Sequence, residues 1–167
     1  MRLLKELWFQ FVMLGTRVLP EVTPILRLRG WLVKPVFHSC GSNLQITRDV
    51  RITHPHKLSI GSDVYLSGGC WILASGGVEI GDEVMLGPYS IVVAGDHTKL
   101  NGSYRFGPAK RAPIKIGSGS WVGAHGVVTM GTTLGPGCLL AAGSVATRSI
   151  PAHSIAGGVP AKVLKKG

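Results

Sequence analysis

Between positions 60 and 150 an aliphatic side chain returns at every sixth residue in three runs: Ile60, Leu66 and Ile72; Ile80, Leu86 and Val92; then Ile116, Val122, Val128, Leu134, Leu140 and Ala146. That period fits neither the 3.6-residue turn of an amphipathic helix nor the alternation of a half-buried strand, and it predicts a coiled array of short strands. The fourth residue after each of these guide positions is usually small or short-branched: Val64, Cys70, Gly76, Val84, Ser90, Ser120, Gly126, Thr132, Cys138 and Ser144. Residues of that size suit a tight interior corner. Glycine often follows the guide itself, as in Ile60-Gly61 and Val122-Gly123, where each flat face must turn sharply into the next.

The period breaks twice. At Ser75-Gly76-Gly77 the stride from Ile72 to Ile80 lengthens by two residues, which predicts a bulged corner. Between Val92 and Ile116 the repeat vanishes. The intervening stretch carries Asn101-Gly102, Gly107-Pro108 and the side chains Lys99, Tyr104, Arg105, Phe106 and Lys110, so it reads as an excursion from the coil over residues 98–115. A long loop on a compact scaffold is usually functional.

Ahead of the repeat, residues 1–38 form an arm. A helix is expected over 3–19, with Leu3, Leu4, Leu7, Trp8, Phe11, Leu14 and Val18 on one stripe and Pro20 and Pro24 ending it. Phe9, Val12 and Met13 broaden the apolar face, and Ile25, Leu26, Leu28, Trp31, Leu32 and Val33 continue it among Arg17, Arg27, Arg29 and Lys34. Two readings stay open. The arm packs on the coil or on a neighbouring subunit, or residues 1–36 hold the protein peripherally on the acidic inner leaflet of a membrane. The apolar stretch 7–14 is too short to span a bilayer and lacks a secretory cleavage pattern.

Length and composition place the chain as one domain of 167 residues with 45% hydrophobic content. Three cysteines without close spacing argue against a disulfide framework or zinc knuckle and for a cytoplasmic address; Cys40 stands outside the repeat and receives no role. The formal charge of +10 sits in the N-terminal segment, the excursion and the basic tail over 151–167. No dense basic run with interleaved aromatics is present, so nucleic acid is set aside in favour of a phosphate-bearing ligand and an anionic membrane surface.

The repeat over 39–150, the junction Gly95-Asp96-His97-Thr98 and the closing Gly158-Val159-Pro160-Ala161 together resemble the hexapeptide-repeat acyltransferases, among them the galactoside and maltose O-acetyltransferases. The resemblance implies an all-β fold, a left-handed parallel β-helix of hexapeptide repeats with an N-terminal helical arm and a protruding loop. It implies acetyl-CoA as the acyl donor, His97 as the catalytic base, and Trp121, Ala124 and Ala142 along the pantetheine arm. Arg148 and Lys165 match the basic residues that meet the donor's phosphates. Chemistry supports His97 independently, because transfer from a thioester to a hydroxyl needs a base that accepts the hydroxyl proton, and imidazole titrates in that range. Asp96 is a poor partner for the ring, since adjacent side chains of an extended segment point to opposite sides. His54 and His56 read as solvated turn residues, with an acceptor-pocket lining as the alternative, and His125 as a solvent-facing turn residue.

The reaction expected is O-acetylation of a sugar hydroxyl, on a free, nucleotide-linked or lipid-linked acceptor in polysaccharide or envelope assembly, in the cytoplasm or at the inner face of the membrane. N-acetylation of an amino sugar is the nearest alternative, and a non-catalytic β-helix scaffold the next. No metal is expected: a zinc carbonic anhydrase on this scaffold needs three converging histidines, and the later coils offer only His97 and His125. Family members assemble as homotrimers of parallel coils, which would place His97 and the donor groove on facing subunits with Tyr104 and Phe106 of the loop against a neighbour. Sugar-acetylating relatives carry an acidic residue where this chain reads Ile72-Leu73-Ala74-Ser75-Gly76-Gly77, so the acceptor stays open.

Overall fold

The computed structural model describes residues 2 to 166. Their short strands fall into three parallel sheets around one interior. The first face stacks Ser39–Cys40, Leu58–Ile60, Val78–Ile80, Ile114–Ile116 and Thr133–Leu134; the second stacks Gln45–Ile46, Tyr65–Leu66, Met85–Leu86, Trp121–Val122, Leu139–Leu140 and Ser154–Gly158. The third stacks Arg51–Thr53, Trp71–Leu73, Ile91–Val93, Val127–Thr129 and Val145–Ala146. The chain thus makes about six turns, and the architecture is that of a left-handed parallel β-helix.

The guide residues explain why. Ile60, Ile80 and Ile116 pair on the first face, Leu66, Leu86 and Val122 on the second, and Ile72, Val92 and Val128 on the third. All nine are at most 3% exposed, so the six-residue period is the core itself. The corner residues Val64, Cys70, Val84, Ser90, Ser120, Thr132, Cys138 and Ser144 are buried beside them. Burial in this apolar interior pushes the Cys70 thiol up to about 12.

The repeat also begins one turn earlier than its aliphatic pattern shows. Cys40 pairs with Ile60, Ile46 with Leu66 and Ile52 with Ile72, which makes Cys40 the guide residue of the first turn rather than a bystander. A thiol in place of an aliphatic chain, followed by a lengthened stride from Ile52 to Ile60, conceals the period there. Every departure from six lies at the same corner, between the third face and the first: the stride lengthens after Ile52, after Ile72 and after Val92, and shortens to four after Ala146, where Ile150 pairs with Leu134. The longest departure, after Val92, is an antiparallel hairpin of Gly95–His97 with Ala109–Arg111. Ile114 already pairs with Val78, and Lys115 stands opposite Glu79 at 2.9 Å on the first face, outside the excursion.

The N-terminal arm holds two helices, α1 (Arg2–Gly15) and α2 (Thr23–Val33). Pro24 lies in the first turn of α2, where its missing N–H costs nothing, so it opens a helix rather than ending one. The packing face of α1 is Phe9, Val12, Met13 and Thr16. The broader stripe points away from the coil: Leu3, Leu4, Leu7, Phe11, Leu14 and Val18 are all more than half exposed, which leaves a neighbouring subunit or a membrane as its cover.

Both helices lie over the open end of the first turn. The N–H groups of Gln45 and Thr47 donate to Val64 and Leu66 of the second turn, so the intervening Ile46 carbonyl faces away from the stack. The fully buried Arg29 of α2 meets it. Its guanidinium donates to the carbonyls of Ile46 (3.4 Å), Thr16 (2.9 Å) and Leu19 (3.3 Å) and to the Thr16 hydroxyl (3.1 Å), and it pairs with Glu21 at 2.9 Å. Gly30 packs beside it so closely that a Cβ there would overlap the Leu44 carbonyl oxygen. At the other end the stretch expected as a tail is a hairpin: Ser154–Gly158 continues the second face in parallel, and Ala161–Lys166 returns antiparallel along it.

Candidate active site

The hairpin at the interrupted corner presents His97 at its outer end, opposite Ala109. Two features hold its tip. The Thr98 hydroxyl donates to the Pro108 carbonyl at 2.6 Å, and Gly107 approaches the Thr98 carbonyl so closely that a Cβ would collide with it. Oδ1 of Asp96 accepts the backbone N–H of His97 at 2.7 Å. The carboxylate is therefore turned onto the main chain, and no hydrogen bond among the described residues reaches the His97 ring.

A cleft of about 570 Å³ opens beneath the hairpin. Its floor includes Leu73, Val93 and Thr129, which form one row across the third face because Leu73 pairs with Val93 and Val93 with Thr129. Its wall is the hairpin: Asp96 and His97 on one strand, Lys110 and Arg111 on the other. A second opening of about 570 Å³ is bounded by Asp96, His97, Tyr104 and Arg105. His97 thus stands between an apolar shelf and a basic loop. The floor residues escaped the sequence reading, although each directly follows a guide residue on the third face, and that offset was the available signal. Tyr104 and Phe106 at the tip are 62% and 75% exposed, with Lys99 and Arg105 each 5.9 Å from a ring centre.

Further down the same edge, His54 and His56 correct an expectation. They are not solvated turn residues: both are partly buried, and both Nδ1 atoms are buried without a hydrogen-bond partner. Desolvation first, then the positive charge of Arg2, lowers both pKa values below the ordinary 6.5. An imidazole held neutral in the fold binds its proton more readily when unfolded. Its stabilising contribution is therefore present above about pH 6.5 and is lost as pH falls through the folded value. We expect the urea midpoint to drop between pH 7.5 and pH 5.5, and a His54→Gln/His56→Gln variant to show a smaller drop; an equal drop in both proteins would assign the pH dependence elsewhere.

The remaining expected site residues lie apart from His97. Trp121 is on the second face, 46% exposed, between Met85 and Leu139. Ala124 and Ala142 stack at the corner between the second and third faces, where the Gly143 N–H donates to the Ala124 carbonyl at 2.8 Å. The small side chains leave that corner's main chain approachable. His125, on the same corner, is exposed and stacked on Tyr89 at 5.3 Å, so it does not converge with His97 on a metal. Among the described residues no group of His, Cys, Asp and Glu side chains could hold a metal ion. Arg148 is exposed on the His97 edge, two turns further along, and Lys165 is exposed on the terminal hairpin. Within one chain, then, His97 and Arg148 share an edge, whereas Trp121, Ala124 and Ala142 belong to another side of the prism.

Comparisons with known proteins bear on this arrangement. The family described as "Hexapeptide repeat of succinyl-transferase" matches residues 113–148. The galactoside O-acetyltransferase of Escherichia coli is 30% identical over 138 residues, which cover 83% of this chain and 68% of that protein. Among solved structures, a galactoside acetyltransferase in complex with coenzyme A superposes with a TM-score of 0.85 at 28% identity, covering 97% of this chain and 80% of that one. A maltose O-acetyltransferase from Clostridium difficile gives 0.85 at 26% identity, covering 98% and 87%.

Proposed function

The chain belongs to the hexapeptide-repeat acetyltransferases, and we propose that within this family it moves the acetyl group of acetyl-CoA onto a sugar hydroxyl of a polysaccharide or envelope precursor. The observation that carries this reading is the position of His97, exposed at the mouth of a cleft on the one edge where the coil is interrupted.

In the proposed reaction His97 accepts the proton of the acceptor hydroxyl while that oxygen attacks the thioester carbonyl. The C–S bond then breaks, and the imidazolium returns the proton to the departing sulfur, so charge and protons balance without an oxidant or metal. The chain's other proposed contributions are to binding. Ala124 and Ala142 let an extended thioester arm lie close to the main chain, Trp121 flanks it, and Arg148 and Lys165 suit the donor's phosphates through charge-assisted contacts. Because Trp121, Ala124 and Ala142 lie on a different side of the prism from His97 and Arg148, a site using all of them is complete only between two copies, which supports a homotrimer of side-by-side coils. The exposed aromatic rings of Tyr104 and Phe106 fit the same arrangement, each lacking cover within its own chain.

The test is thiol release from acetyl-CoA across a panel of neutral sugars, nucleotide-linked sugars and lipid-linked sugars, with the product checked for an alkali-labile ester. Acceptor-dependent release with ester formation is expected. An alkali-stable amide would replace hydroxyl transfer by amine transfer. Converting Arg148 and Lys165 to glutamine should raise the KM for acetyl-CoA about tenfold or more with little change in kcat, since the phosphates are remote from the reacting bond. An unaltered KM would remove both residues from the donor site.

A further inference from the structure

We propose that the outward face of α1 is a docking surface for an anionic lipid membrane. The face is continuous: Leu3 and Leu4, then Leu7, Phe11 and Leu14 at three- and four-residue steps, with Val18 in the turn beyond the helix, each 55–89% exposed. It is a surplus face, because the core needs only Phe9, Val12, Met13 and Thr16 from this segment, and these lie on the opposite side of the helix. A soluble helix that had finished its packing would carry polar residues here. Trp31 of α2 adds a further ring at 70% exposure.

Charge selects the occupant. Arg17 is exposed next to Val18 at the C-terminal end of the stripe, Arg27 is exposed on α2 and Lys34 directly after it, while exposed Arg2 at the N-terminal end also acts on His54 and His56. The acidic residues of the segment are Glu6, which is partly buried, and Glu21, which is tied to Arg29 and lies 3.7 Å from Arg48. An apolar stripe rimmed by guanidinium and ammonium groups is complementary to acyl chains beneath anionic headgroups, and a chain of net charge +10 reinforces that attraction. Against a second copy of this chain the same rim would meet like charges. No helix of the described residues is long and apolar enough to cross a membrane, so the stripe lies in the interface. Because α1 covers the open end of the coil, docking would set this end toward the lipid and leave the His97 edge running away from it.

Sedimentation of the full chain with vesicles tests the proposal. Binding is expected to vesicles containing phosphatidylglycerol, to weaken as salt is raised, and to be weak with phosphatidylcholine alone. Leu7→Glu/Phe11→Glu should reduce partitioning roughly tenfold or more, while thiol release with a water-soluble acceptor and the size by light scattering remain those of the parent. Failure of the parent chain to sediment with anionic vesicles would overturn the proposal. So would a double variant that binds vesicles as the parent does, or one whose assembly falls apart, since the latter result assigns the stripe to a neighbouring copy.

Discussion

Replacing His97 with alanine is expected to lower turnover by about a hundred- to ten-thousand-fold while the coil stays folded. That range corresponds to about 3–5 kcal/mol of barrier, the typical contribution of a positioned base. The two halves of the expectation rest on separate observations. His97 is exposed on a hairpin that leaves the core, so its removal takes nothing from the buried guide column. It also lies at the mouth of two openings, where a hydroxyl could approach from either side. The measurement is steady-state turnover beside a thermal unfolding curve. Near-parent turnover would eliminate the base role, whereas a lowered Tm would make the rate loss uninterpretable as catalysis and would contradict the exposure of the side chain. Asp96 is not expected to share the effect, because its carboxylate is engaged by the backbone N–H of His97.

The second large effect concerns stability. Arg29→Met should cost about 2–5 kcal/mol, because a fully buried side chain that donates to several carbonyls is lost and each buried acceptor left without a donor costs about 1–3 kcal/mol. The Ile46 and Leu19 carbonyls would lose the guanidinium donor together, the Thr16 carbonyl would keep only the Leu19 N–H, and Glu21 would lose its 2.9 Å partner. For a domain whose total stability is about 5–15 kcal/mol, that loss is a large share. Adding Glu21→Gln should recover little of it, because the partly exposed Glu21 still has Arg48 3.7 Å away and the carbonyls stay without their donor. Urea unfolding of the three proteins checks both statements, and an Arg29→Met midpoint indistinguishable from the parent would show that the cap does not depend on this side chain.

The coil was legible because its core is a simple period: each aliphatic guide marks a buried position, and each small residue four places on marks a corner. The first turn was hidden by chemistry rather than by geometry. Cys40 satisfies the guide position by volume, yet a cysteine carries no aliphatic signal, and His54 to Lys57 interrupts the stride directly after Ile52. The helix stripe left two readings open for a related reason. Hydrophobic spacing shows which residues share a face but not which of two apolar faces meets the core, and α1 has both. Arg29 is a third kind of omission, since a basic residue among apolar neighbours looks solvated until the carbonyl it serves is known. At the candidate site, the junction motif marked His97, and the Leu73–Val93–Thr129 row was signalled only by its offset from the guides, with its place under the hairpin set by the stacking of the turns.

A stack of near-identical rungs has no intrinsic length, and the exposed strand edge of its last rung is a template for another chain. This molecule ends its stack differently at each terminus. The helices occupy the lower edge, and Arg29 takes up the carbonyl that an incoming strand would use. At the upper edge the second face is finished by a strand running the opposite way, so a further parallel rung finds no continuing register there. Terminating the ladder in these two ways favours a discrete particle over a growing fibre, and lateral faces are left as the route by which copies can associate.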